Sequence, residues 1–169
     1  QARMILGHYL EEVHLLGREL GLSQRLMKTP REVLELAARS GDESAHRKDE
    51  PYRRAVSGIY SRLAATADFA AVPAPAAKRP PYASAAEFAA DLELIARGLQ
   101  AQGAALLAAG RLRALRRKVS LFGFHLAPID LRQNADEHAE VVGELLAKAG
   151  VAADYGRLDE ASRLEVLNQ

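Results

Sequence analysis

Phe122-Gly123-Phe124-His125-Leu126-Ala127-Pro128-Ile129-Asp130-Leu131-Arg132-Gln133 is the stretch of this chain whose pattern departs from the helical one. Gly123 stops a preceding helix. From Phe124 to Arg132 the apolar residues have no helical period, and a proline interrupts them. Alternation of faces predicts a β-strand over 124–132. A single strand cannot make a sheet, and its backbone N–H and C=O groups need partners that nothing else in the chain offers. The expected fold is therefore mainly α, a multi-helix array with one isolated β-strand whose sheet or barrel lies elsewhere. A helical pattern that starts at Asp159 runs off the end at Asn168-Gln169, and the chain opens on Gln1-Ala2-Arg3 rather than Met. Both fit a single internal segment, 1–169, cut from a larger protein.

Upstream of that stretch the periodicity is helical. Leu6, Leu10, Val13 and Leu20 share one face of a first helix that Gly21 and Ser23 break. Thr29-Pro30-Arg31-Glu32 reads as a capping box opening a short helix with Val33, Leu36 and Ala37, which stops near Gly41. A polar loop over 42–49 leads to Glu50-Pro51-Tyr52-Arg53, the start of a helix striped by Val56, Ile59, Tyr60, Leu63 and Ala67. Four prolines between residues 72 and 82 exclude helix there and predict an extended Pro/Ala-rich surface linker. Ser84-Ala85-Ala86-Glu87 is a second capping box. Its helix carries Phe88, Leu92, Ile95 and Leu99 and is expected to run to about Gly110, with a further helix from Leu112 to Phe122. Downstream, His138, Val142, Leu145, Leu146 and Ala149 predict a helix closed by Gly150.

Composition removes several function classes. Hydrophobic residues make up 49 % of the chain but aromatics only 5 %, and tryptophan is absent, so the core must be built from close-packed small and aliphatic side chains. With 23 basic and 22 acidic residues the net charge is +1, which argues against nucleic acid as the main partner. Absence of cysteine excludes disulfides and thiolate metal sites and fits a reducing compartment. No apolar run is long enough for a bilayer span, and no signal peptide is visible. The expectation is a cytoplasmic protein with neither membrane nor nucleic acid as partner.

Few residues invite chemistry. His8 with Glu11 and Glu12 could form half of a metal site, but no second half is visible, and an ordinary surface pair is the simpler reading. Arg111, Arg113, Arg116, Arg117 and Lys118 could form a nucleic-acid or phosphate patch, but they interleave with Leu112, Leu115 and Val119 at core spacing, so most of the run reads as a solvated helix face. His138 falls on the face of Val142 and Leu146 and reads as a packed core histidine, and His125 as a strand residue. Arg132 differs. At the carboxyl end of the expected strand, on the face of Asp130, its planar fork suits a phosphate or carboxylate. An internal Asp130–Arg132 ion pair would explain the same two residues, and their spacing alone leaves both readings open.

Phe122-Gly123 through Gln133, followed by His138, resembles the F-G-x-x-L-x-x-x-D-x-R-Q-x-x-x-x-H stretch of phosphoenolpyruvate carboxylases. Gly7-His8-Tyr9-Leu10-Glu11-Glu12 running on to Leu16-Gly17-Arg18-Glu19-Leu20, and Glu50-Pro51-Tyr52-Arg53 with Leu63, resemble the same family in the same order. The linker over 72–82 and the last fifteen or so residues match only loosely. The resemblance implies a largely helical enzyme around an α/β barrel, to which strand 124–132 would belong, usually a homotetramer. It implies a lyase that joins bicarbonate to phosphoenolpyruvate with Mg²⁺, giving oxaloacetate and phosphate through carboxyphosphate and an enolate, an anaplerotic carbon dioxide fixation feeding the tricarboxylic acid cycle. Arg132 would bind the substrate's phosphate, with Asp130 and Gln133 in support.

Departures from the family's pattern limit what is carried over. Asn134 and Ala135 stand where the family usually has an acidic residue and a small hydroxyl residue. The catalytic T-A-H-P-T motif, the glycine-rich arginine loop and the metal-binding carboxylates have no counterpart here. The expectation is thus a fragment without catalytic or metal-binding residues of its own, inactive alone, exposing surface around residues 122–129. The alternative is a non-catalytic helical scaffold or interaction module.

Overall fold

The computed structural model describes residues 1–69, 79–127 and 134–168, in two compact units, Gln1–Pro128 and Ile129–Gln169. In the first, α1 (Ala2–Glu19) and α2 (Arg31–Arg39) both pack on α3 (Pro51–Phe69). Helix α4 (Ala85–Ala101) meets α2, α3 and α6 (Arg113–Phe122), and the one-turn α5 (Ala105–Leu107) leads into α6 through a widened turn at Ala108–Leu112. The second unit holds α7 (Ala135–Lys148) and α8 (Glu160–Leu167), joined through a short 3-10 turn at Tyr155–Arg157.

The apolar stripes become the core of the first unit. Leu6, Val13 and Leu16 of α1 and Leu20 just after it, Val33 of α2, Val56, Ile59 and Leu63 of α3, and Leu92, Ile95 and Leu99 of α4 are all essentially inaccessible. Full burial of one such aliphatic side chain contributes about 1.5–3 kcal/mol. Phe88 lies among three other rings, with centroids 5.9 Å from Tyr9, 5.3 Å from Tyr82 and 6.3 Å from Phe124. Four of the nine Phe and Tyr residues thus gather in one place, and elsewhere small residues let helices approach closely. At Gly58, a side-chain carbon would come within 2.8 Å of the Ser40 Cα at the end of α2. At Gly98 it would meet Val33 and the Tyr52 hydroxyl.

Helix ends follow the sequence in part. Ser84 caps α4 by accepting from the Glu87 N–H at 3.3 Å, but Glu87 accepts from the Ala83 N–H rather than from Ser84, so the box is half made. The box expected at Thr29 does not form. Pro30 itself occupies the cap position, with no side-chain cap hydrogen bond, and α2 begins one residue later than a threonine cap requires. Asn134 and Asp159 cap α7 and α8. Gly41, Gly123 and Gly150 turn the chain with φ of 65°, 55° and 72°, where the sequence places the ends.

Two expectations need correction. The helix expected from Ser84 to about Gly110 ends at Ala101, because Gly103 takes φ 76° and the alanine-rich chain beyond it restarts as α5. The strand over 124–132 is not seen, and no strand exists among the described residues. Phe124–Ala127 form turn and bend instead, with the His125 N–H bonded to the Phe122 carbonyl at 2.9 Å and the Phe124 ring folded back onto Phe88. Residues 128–133 lie outside the described residues, as do 70–78 of the expected linker. Arg79–Ala83, its described end, are not helical.

One cation organises the junction of α3 and α4. Arg62 bonds the carboxylates of Glu87 and Asp91, and its guanidinium carbon lies 4.0 Å from the centre of the Tyr82 ring. The Tyr82 hydroxyl donates to Asp91 at 2.8 Å. Burial first, then the Asp91 charge, push the Tyr82 hydroxyl pKa up. The hydrogen bond from Arg62 holds the Glu87 carboxyl below its ordinary value of 4.5, with the Ala83 N–H adding to it.

Gly58→Ala improves intrinsic helix propensity by nearly 1 kcal/mol but presses on rigid backbone, so a net destabilisation of about 1–3 kcal/mol is expected in urea unfolding. A variant as stable as the parent would show that α2 and α3 can part at no cost. Because the pKa of Glu87 is lowered by folding, its stabilisation is present above the unfolded value and lost as pH falls through the folded one. Urea midpoints measured from neutral pH into acid should therefore fall less steeply for Glu87→Gln than for the parent chain, and equal acid slopes would contradict the pairing.

Candidate functional site

Arg132, Asp130 and Gln133 lie outside the described residues, so the site is approached through the elements that lead to them. Leu112, at the end of the widened turn, and Leu115 of α6 are fully buried, and Val119 nearly so, against the core; the outer end of α6 exposes Leu121 and Phe122. Gly123, with φ 55°, turns the chain sharply, and the stacked Phe124–Phe88 pair pins it after the turn. Leu126 is part-exposed, and His125 stands in solvent rather than on a strand.

The basic run from Arg111 to Lys118 is not simply a solvated face. Arg111 reaches across to α1, bonding Glu12 at 2.7 Å and Glu19 at 2.7 Å. Lys118 donates to the same Glu12 at 2.9 Å, and its ammonium lies 2.8 Å from the His8 ring nitrogen. Arg116 pairs with Glu93 of α4. Arg113 and Arg117 are exposed, as the bland reading expects. Burial pushes the Glu12 pKa up, but hydrogen bonds from Lys118 and Arg111, reinforced by their charges, outweigh it and hold the carboxyl below its ordinary range. The Tyr9 hydroxyl adds a neutral link, donating to the Lys118 carbonyl at 3.1 Å.

This network also answers the metal reading of His8 and Glu12. The place a cation would take beside them is filled by the Lys118 ammonium, 2.8 Å from His8 and 2.9 Å from Glu12. Among the described residues no group of three His, Asp or Glu could hold a metal ion. Arg111, Arg116 and Lys118 each face a carboxylate of the fold, so the network holds neighbouring helices in place.

A basic cleft of about 430 Å³ between α1 and α3, which the linear pattern did not reveal, is bordered by His14, Arg18, Arg47 and Arg53. Two of its guanidiniums are engaged within the fold. Arg47 bonds Asp42 at 2.9 Å, while Arg53 bonds Glu50 at 2.9 Å and the Gly17 carbonyl at 3.0 Å. Arg53 thereby ties the start of α3 to the end of α1, which is how Glu50-Pro51-Tyr52-Arg53 and the α1 motif meet in space. Tyr52 of the same motif is buried, donates to Gln102 at 3.0 Å, and has its pKa pushed up to about 12 by burial.

In the second unit His138 is exposed, not packed in a core. Its helical phase with Val142 and Leu146 is real, but no residue of α7 is buried and those two are only half-covered, so that face has nothing to close over a histidine. No described helix is long and apolar enough to cross a membrane.

Comparison with known proteins fits these motifs. The family model described as phosphoenolpyruvate carboxylase matches residues 1–169. A phosphoenolpyruvate carboxylase of Aromatoleum aromaticum is 56 % identical over 99 % of this chain, and one of Azoarcus sp. is 53 % identical over 99 %. A third, from Burkholderia mallei, is 49 % identical over the same share. The chain spans 19 %, 19 % and 18 % of the length of these three proteins. With a match over every residue and this level of identity, the chain belongs to the phosphoenolpyruvate carboxylase family.

Proposed function

We propose that this chain is one segment of an enzyme that carboxylates phosphoenolpyruvate with bicarbonate to oxaloacetate and phosphate, and that its contribution is Arg132, a cation for the substrate's phosphate. The observation that carries the reading is a family match over the whole chain, motif residues included. In it, Asp130 and Gln133 support the arginine, and residues 1–169 act as one internal helical segment. The remainder of the parent chain supplies the catalytic histidine, the glycine-rich arginine loop and the carboxylates for Mg²⁺. The parent works as a cytoplasmic homotetramer, and the segment alone is inactive.

The chemistry suits an arginine. Phosphoryl transfer from phosphoenolpyruvate to bicarbonate spreads negative charge over the equatorial oxygens, and a fixed guanidinium offsets that charge without needing to reorganise. Its planar fork can bond two phosphate oxygens at once, which an ammonium cannot do with the same directionality. Leu121, Phe122 and Leu126, exposed just before this segment, fit a surface that packs on the rest of the parent.

Removing one charge-assisted phosphate contact costs about 1.5–3 kcal/mol. Arg132→Ala in the full-length enzyme is therefore expected to lower kcat/KM for phosphoenolpyruvate about ten- to a hundredfold. Oxaloacetate formation with phosphoenolpyruvate, bicarbonate and Mg²⁺ measures it. A folded variant with parental kinetics would remove Arg132 from the site, and an inactive full-length parent would favour the scaffold reading.

A further inference from the structure

We propose that the cleft bordered by the end of α2, by α3 and by the segment entering α4 binds a small phosphomonoester, with Arg39 and Arg79 as the cations that hold its phosphate.

The cleft has a volume of about 360 Å³, and buried Leu36 and Ile59 are among its lining residues. That is the small end of the range for ligand clefts, about 300–1,000 Å³. Three guanidiniums border it, those of Arg39, Arg62 and Arg79, against the single carboxylate of Asp91. That carboxylate is already taken. It receives Arg62 at 3.4 Å and the Tyr82 hydroxyl at 2.8 Å, and Glu87 completes the pairing of Arg62. Asp42, just beyond the end of α2, is held by Arg47. Among the described residues, the side chains of Arg39 and Arg79 thus have no carboxylate partner, and residues 70–78 contain no acidic residue. The basic cleft between α1 and α3 differs, because Arg47 and Arg53 there are spent on the fold.

The carbonyl end of α2 accounts for only part of this charge. A helix C-terminus carries about half a negative charge, and two guanidiniums exceed it severalfold. A phosphomonoester carries about −1.5 to −2 at neutral pH, which two guanidiniums match, and each planar fork can bond two of its oxygens.

The fold positions both cations. Arg39 precedes Ser40, whose backbone lies so close to Gly58 of α3 that a side-chain carbon there would come within 2.8 Å of it. The Arg79 guanidinium lies against Gly41, where a side-chain carbon would overlap it, 2.6 Å from Cζ. Gly41 has φ 65°, so glycine serves there for the turn and for the seat alike. The segment that carries Arg79 is tied to α3 twice. Arg62 donates to the Pro80 carbonyl at 3.3 Å, and the Tyr82 N–H donates to the Thr66 hydroxyl at 2.8 Å. Cations seated beforehand lose less freedom when a ligand arrives.

Arginine-selective dicarbonyl modification of the full-length enzyme, followed by peptide mass spectrometry, reads each guanidinium separately. The probe is inorganic phosphate against chloride at constant ionic strength, with exposed Arg113 and Arg117 and an added free arginine derivative as references. At about ten times its half-protecting concentration, phosphate should slow modification of Arg39 and Arg79 about tenfold and leave the references within about twofold. In an Arg79→Gln variant the protection of Arg39 should fall below about twofold, because the two forks share one ligand. Arg39→Gln, with Arg79 as the residue read, repeats the test from the other side and carries it if Arg79→Gln does not fold. Equal slowing of every arginine, no slowing at all, or protection that survives in both variants overturns the site. Failure of Arg39 and Arg79 to react without phosphate overturns it too, since the rest of the enzyme would then cover the cleft.

Discussion

Burial of the Phe88 ring is the constraint around which the first unit is arranged. The ring is completely inaccessible, and the residues that enclose it come from far apart in the chain: Tyr9 on α1, Tyr82 just before α4, and Phe124 beyond α6. A chain with so few aromatics gains most from gathering them, because ring pairs add about 0.5–1.5 kcal/mol beyond the area they bury. Each ring also brings a polar or backbone tether. Tyr9 holds the Lys118 carbonyl, Tyr82 holds Asp91 and underlies Arg62, and Phe124 is fixed behind the Gly123 turn. Helix packing, ion pairs and the exit from α6 are thus settled in one volume.

Around that centre the fold alternates two kinds of contact. Where alanine and glycine dominate, backbones come close and shape alone decides, as at Gly58 against Ser40. Elsewhere long charged side chains join the elements, as Arg62 does from α3 to α4 and Arg111 from the widened turn to α1. Such pairs contribute little individually when exposed, but several here share a carboxylate or stack on a ring, which ties their geometries to each other. The net charge of +1 conceals this pairing: balance along the chain reflects partners across it.

Much of the helical framework was legible because its signals are local. Stripes on α1, α3 and α4, the cap at Ser84, and the stops at Gly41, Gly123 and Gly150 depend on neighbours within a turn or two. What escaped depends on distant residues. Glu12 and Lys118 are 106 positions apart, and no periodicity announces that they meet. The break at Gly103 hid inside alanine-rich sequence that favours helix on both sides. Phe124–Ala127 alternate as a strand would, yet with Phe88 available and no strand described beside them they bend into a turn. A solitary strand therefore cannot separate enzyme segment from scaffold. The motifs around Arg132, Glu50 and Gly7 did identify the family, through residue identity rather than conformation, whereas the spacing of Asp130 and Arg132 left an anion site and an internal ion pair equally open.

The widened turn at Ala108–Leu112 has a consequence for how this chain can change over time. An ordinary helix transmits every inserted or deleted residue as a rotation of about 100° to all that follows. Here the helical geometry is already interrupted at Gly110, and α6 takes its orientation from contacts beyond that point. A one-residue gain or loss between Gly103 and Gly110 can be absorbed locally, leaving α6 seated on the core as before. The stretch is a buffer for length variation between α4 and α6.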